Sequence, residues 1–260
     1  MTIYLNFIKI IRILNSHLPI KYLTVLTLKT RSMIRPVTDI DDLVPVKNVV
    51  ISVFNKTGLD VLILGLLENC PDVMIYASGG TYSFIKQLMG ATEAENHLME
   101  VSEYTGVPET AGGLVKTLHH KLFLGYLTET YCELHQQDLA REDAVPIDLL
   151  IGGLYPFADV IKDPNVNIEI ARGNIDVGGP SALRAVAKNW HRVMSMATPY
   201  KESYEALVRH LEENKGCTNL ETRFRAWKNT FDVLKTYDGQ IYNWLKTADF
   251  EEVKKIYTIH

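Results

Sequence analysis

Apolar residues come in short runs that end in turns and are followed by longer stretches with helical spacing. Val49–Val53 is a β-branched run, Phe54–Gly58 (FNKTG) a turn, and Leu59–Asn69 an apolar helical stretch. The pattern repeats with a strand at Val73–Ala77, a turn at Ser78-Gly79-Gly80-Thr81 and a helix at Tyr82–Met89. Ile147–Leu154 (IDLLIGGL) reads as a buried strand closed by Tyr155-Pro156-Phe157, and Arg192–Thr198 as a further strand. From Tyr200 the spacing is helical, over Lys201–Asn214 and then Glu221–Thr247, the latter preceded by the cap residues Thr218-Asn219. Strand, glycine turn and helix in succession predict an α/β fold, an open parallel sheet with flanking helices, here with a C-terminal helical extension. In such sheets the loops at the carboxyl ends of the strands collect the ligand.

Composition narrows this picture only a little. At 260 residues the chain holds one large or two small domains, and its net charge of −4 gives no sign of a nucleic-acid surface. Cys70, Cys132 and Cys217 are scattered and odd in number, fitting free thiols in a reducing compartment better than disulfides or a metal site. No apolar run reaches the roughly 18–20 residues of a membrane span, so no membrane partner is expected. Residues 1–35 carry six Lys and Arg and no acidic residue. That permits a mitochondrial presequence, although Arg and Ser are sparse for one, and Met33 offers a second start; we read the stretch as an extension outside the fold. Pro36–Pro45 reads as an acidic, turn-rich linker. The expected organisation is thus extension and linker over 1–46, the main domain over 47–198 and the helical extension over 199–260.

Three stretches carry candidate chemistry. In the first two loops Lys56, Thr57, Ser78, Gly80 and Thr81 offer an ammonium, hydroxyls and amides to a phosphate, although plain turns would look the same singly. Asn174–Asn189 (NIDVGGPSALRAVAKN) places Asp176 before Gly178-Gly179, with Pro180 suited to a first helical position. Ser181, Arg184 and Lys188 then share one face, and Ala182, Leu183, Val186 and Ala187 the packed one. A helix start preceded by glycines receives anions. Glu103–His120 is an irregular stretch in which Lys116 and His119 follow four turn-forming residues, Gly106, Pro108, Gly112 and Gly113. With Tyr155, Asp176 and Lys188 it supplies groups able to move a proton and stabilise an oxyanion. His135, His191 and His210 have no partners at ligand spacing and read as structural.

The segments VVISVFNKTGL, ASGGT, VSEYTGVPE, GGLVKTLHH, GLYPF, NIDVGGPSALRAVAKN and TYDGQI, in order from Val49 to Ile241, resemble the amino-terminal half of the purine-biosynthesis family AICAR transformylase/IMP cyclohydrolase, PurH. The resemblance implies a methylglyoxal-synthase-like fold and closure of the second purine ring of FAICAR to IMP, with no metal or organic cofactor. It implies that Lys116 holds the formyl oxygen, Tyr155 and Asp176 orient and deprotonate the attacking carboxamide, and Lys188 stands beside them. Ser52, Lys56, Thr57, Ser78, Gly79, Gly80, Thr81 and Thr117 would cradle the phosphate and ribose, with Gly178 and Gly179 at the helix start. The purine nucleotide would be the small-molecule partner, in the cytosol. A separate transformylase is a further expected partner, because the transformylase half has no counterpart here and no such activity is expected; the resemblance also implies a homodimer, although family dimers use that half too.

Several positions depart from the family pattern. Phe54-Asn55 stand where Ser-Asp is usual, Leu114 where an arginine is, His120 for proline, Phe123 for histidine and Gly153 for asparagine. Trp190 replaces a histidine, and Asn229 and Val233 a lysine and a histidine. Leu114, Asn55 and Gly153 motivate a second reading, a nucleotide-binding module with impaired or no catalysis; the unusual amino-terminal stretch and the missing half motivate a third, a degenerate copy that folds poorly or does nothing.

Overall fold

The computed structural model describes residues 36–108, 110 and 115–260; the basic extension and Leu114 lie outside them. Five short strands, β2 (Asn48–Ser52), β3 (Met74–Ala77), β4 (Leu98–Glu100), β5 (Leu149–Gly152) and β6 (Met194–Met196), form one all-parallel sheet in the order β4-β3-β2-β5-β6. Helices cover both faces, which is why these strands read as apolar runs instead of alternating patterns. The arrangement is the expected open parallel α/β sheet, consistent with a methylglyoxal-synthase-like fold.

Alternation along each strand still divides the core in two. Val49, Ile51, Ile75, Leu149 and Ile151 face one layer, packing under α1 (Leu59–Asn69), α2 (Gly79–Met89) and α10 (Lys201–Glu213). Val50, Tyr76 and Leu150 face the other, under α4 (Val101–Thr105), α5 (His120–Leu127) and α9 (Gly178–Lys188). Helix α1 is packed so closely on α10 that a Cβ at Gly65 would lie 2.3 Å from Val208. The last long helix, α11 (Leu220–Leu245), is capped by Asn219, whose side chain accepts from the Thr222 amide, and packs on β6 and α9. Shorter helices complete the chain: α3 (Ala91–His97), α6 (Glu133–Arg141), α7 (Phe157–Val160), α8 (Ile168–Gly173) and α12 (Phe250–Ile256).

The structure corrects the sequence reading in four places. The expected linker ends in a strand, β1 (Leu43–Pro45), antiparallel to β7 (Cys217–Asn219), so the ordered fold begins before residue 47. Val44 and Val46 are buried there, and the fully buried Arg223 ties the ribbon down by donating to the carbonyls of Asp41, Asp42, Thr218 and His191. Gly79-Gly80-Thr81 are the first turn of α2 instead of a turn before it. Helix α9 starts at Gly178, so Pro180 is its third residue, still among the positions whose N–H is not needed. Around the irregular stretch, helices α4 and α5 take up Val101–Thr105 and His120–Leu127, while Gly112 and Gly113 lie outside the described residues.

Candidate functional site

The chain lays down β2, steps outward to β3 and β4, then crosses back to β5 and outward again to β6. The direction of winding therefore reverses between β2 and β5, and in a parallel sheet a crevice opens at the carboxyl ends of such a pair. Ser52 and Gly152 are the paired terminal residues there. Above them lies a small pit, lined also by Thr117, Tyr126, Gly179 and Ala182.

One corner of the crevice is cationic. Lys56 folds back so that its Nζ donates to the carbonyls of Val53 (3.1 Å) and Phe54 (3.0 Å). Burial, then the charge of Lys116, pushes its pKa below the ordinary lysine value. Asn55 Oδ1 accepts from the Thr57 amide at 2.9 Å, an Asx turn that sets this loop. Gly80 borders the ammonium, since a Cβ there would stand 3.9 Å from Lys56 Nζ. Gly79 and Gly80 open an eleven-residue helix capped by Ser78, which makes no side-chain cap bond. The buried Thr81 hydroxyl is committed to the Val53 carbonyl at 3.1 Å, so Thr81 holds the loop instead of offering its proton to a ligand.

The opposite corner is acidic and is held from a distance. Asp176 accepts from the Gly179 amide (Oδ1, 3.1 Å) and the Tyr155 amide (Oδ2, 3.3 Å). Its own amide donates to the Tyr237 phenol oxygen at 2.7 Å. Gly179 lets the helix start come close: a Cβ would lie 2.6 Å from Asp176 Oδ2 and 3.0 Å from Leu154, displacing the carboxylate. The exposed Tyr155 ring sits edge-on to Phe54, centroids 4.9 Å apart. Thr117 closes on the same helix start, its Oγ1 3.3 Å from where a Gly178 Cβ would be. Lys116, one residue earlier, reaches electrostatically to Lys56.

Lys56, Gly80, Thr117, Tyr155, Asp176, Gly178 and Gly179 thus border one crevice, with Ser52 on its floor. Lys188 stands at the other end of the helix that Gly178 begins. It is the last residue of α9, about 15 Å along the axis from Gly178 at 1.5 Å per residue. Arg184 on the same face is ion-paired to Asp238 of α11. Two residues with a place in the site carried no role in the sequence: Tyr237, lying within TYDGQI, and Tyr126. The signal was absent because the contact to Asp176 spans 61 residues.

Several of the departures make contacts of their own among the described residues. Phe54 supplies the edge contact to Tyr155, and Asn55 makes the turn-setting bond. A Cβ at Gly153 would stand 3.0 Å from Pro199, so an asparagine there would need Pro199 to give by a few tenths of an ångström. Trp190 stacks flat on Trp227 at 5.1 Å, Val233 packs into the second core layer, and Phe123 meets the Tyr126 ring edge-on. His119 caps α5, its Nδ1 accepting from the Lys121 amide at 3.2 Å, and His120 opens that helix. Among the described residues no group of His, Cys, Asp and Glu is arranged to hold a metal, and no helix is long and apolar enough to cross a membrane.

Comparison with known proteins bears on the family and the fold. The AICARFT/IMPCHase bienzyme family profile matches residues 186–260. The bifunctional purine biosynthesis protein PurH of Rippkaea orientalis is 38% identical over 201 residues, covering 77% of this chain and 37% of that protein. PurH of Thermoanaerobacter sp. is 36% identical over 210 residues, covering 80% and 39%. The crystal structure of ForH superposes with a TM-score of 0.60 at 26% identity, covering 75% of this chain and 97% of that one. Over about three-quarters of its length, then, this chain is a homologue of the bifunctional purine biosynthesis protein PurH, and it spans well under half the length of those relatives.

Proposed function

We propose that this protein is an IMP cyclohydrolase, closing the second ring of FAICAR with loss of water. The observation that carries the reading is the pairing, across one crevice, of a cationic corner with an acidic one. The 5′-phosphate lies against the Lys56 ammonium and the free amides of Gly79 and Gly80, where charge and helix dipole both favour an anion. Ser78, Thr57 and Ser52 offer hydroxyls around it.

The carboxamide nitrogen attacks the formyl carbon. A new C–N bond forms, and the formyl oxygen, anionic during the attack, leaves as water with one proton from each of the two nitrogens. A carboxamide is a weak nucleophile, so positioning and oxyanion stabilisation supply most of the rate. Lys116 faces the developing oxyanion. Asp176, fixed by two amides and by Tyr237, accepts from the attacking nitrogen, and Tyr155 stands beside it. Lys188 takes no part in this scheme. No metal or organic cofactor enters it, and a separate transformylase would supply the FAICAR. A homodimer in the cytosol remains the expected working form, and sedimentation of the purified chain tests it.

The experiment is the absorbance change as purified protein converts synthetic FAICAR to IMP. Turnover that Asp176→Asn removes supports the cyclohydrolase. Well-folded protein that binds IMP without turnover supports instead a nucleotide-binding module, the reading motivated by Leu114, Asn55 and Gly153.

A further inference from the structure

Tyr126 is fully buried in α5, yet its hydroxyl has no hydrogen-bond partner among the described residues. A phenylalanine would fill the same volume without stranding a polar atom, so the oxygen is costly for folding alone. The ring lies beneath the crevice, lining the pit with Ser52, Thr117, Gly152, Gly179 and Ala182. The space there suits about one oxygen-sized group. Burial pushes the phenol pKa up, so the group stays protonated and can donate.

Among the described residues no charged side chain lines the pit; its polar side chains are Ser52, Thr117 and Tyr126, beside the apolar Val50, Leu150 and Ala182. A phosphate is drawn to the Lys56 corner and a reacting carboxamide to the Asp176 corner. What remains of a nucleotide between them is its sugar. We propose that Tyr126 is a further ligand-binding residue, its hydroxyl donating to a ribose hydroxyl oxygen seated in this pit. The assignment rests on the reading above that a purine nucleotide occupies the crevice.

The test is calorimetric titration of wild type and Tyr126→Phe with IMP, 2′-deoxy-IMP, 3′-deoxy-IMP and ribose 5-phosphate, beside thermal unfolding without ligand. The Tyr126→Phe variant should melt at or above the wild-type temperature while binding IMP about fivefold more weakly, the size of one neutral hydrogen bond. One of the two deoxy nucleotides should bind wild type correspondingly worse and be insensitive to Tyr126→Phe. Unchanged IMP affinity in the variant overturns the proposal, as does an equal loss for IMP and both deoxy forms. Wild type that binds IMP but leaves FAICAR unchanged refutes the cyclohydrolase alone. Wild type that binds none of the four ligands refutes both.

Discussion

The two corners of the crevice are built in opposite ways. The cationic corner is held mainly by local hydrogen bonds: Lys56 bonds carbonyls two and three residues back, Asn55 bonds two residues ahead, and Thr81 bonds in from elsewhere. The acidic corner is assembled from afar, with Asp176 bonded across 21 residues to Tyr155 and across 61 to Tyr237. A local loop can lose a side chain and keep its path. A remotely assembled corner passes any disturbance in α11 or α9 directly to the carboxylate. Changes at the first corner should therefore act on binding, and changes at the second on the chemical step.

The largest effect expected is at Lys116. Lys116→Ala should lower turnover of FAICAR by about a hundredfold or more, the scale of losing one oxyanion-stabilising group, with little change in IMP affinity. A comparable loss of affinity would mean that Lys116 belongs with the phosphate corner. Lys56→Ala should weaken IMP binding roughly ten- to a hundredfold, as for a charge-assisted hydrogen bond, while saturating turnover stays near wild type. Calorimetry and steady-state kinetics together separate these outcomes.

Gly179→Ala comes next. Its methyl would push on Asp176 Oδ2, which can yield, so the melting temperature should fall little while kcat falls about tenfold. Tyr237→Phe removes one hydrogen bond to the Asp176 amide and should lower kcat about fivefold, with KM unchanged. A change confined to KM would sink the positioning role.

The smallest effect is one of pH. The charged form of Lys56 binds the phosphate, and its pKa in the free protein lies below 10.5 through burial and the Lys116 charge. IMP affinity should thus be full at neutral pH and decline as pH rises through that lowered pKa. Removing the Lys116 charge should move the decline to higher pH, leaving the part due to burial in place.

The same contrast explains what the sequence disclosed. Helix α1 falls on its expected residues, because an eleven-residue apolar stretch bounded by a glycine turn has one reading. The loop at Lys56 was also legible, since its bonds run between near neighbours. The roles of Tyr237 and Tyr126 were not, because a phenol's partner, or its lack of one, is decided by the packing of distant helices. Lys188 shows the converse: it adjoins Asn189 in a recognisable motif, but an eleven-residue helix carries it to the end away from Asp176. Strand β1 was hidden because a three-residue strand is too short for periodicity, and its partner comes near the other end of the chain.

That last pairing has a consequence for biosynthesis. Asp42 and Arg223 are 181 residues apart, yet the guanidinium is what fastens the ribbon. A nascent chain leaving the ribosome exposes Val44 and Val46 long before β7 exists to cover them. All five strands of the central sheet will have emerged by then, so the ribbon can close only after they are available, with α11 and α12 still to follow. Translation that stalls or terminates ahead of Cys217 would leave Val44 and Val46 without β7 and Arg223 to cover them, an exposed edge for a protease or chaperone to meet first.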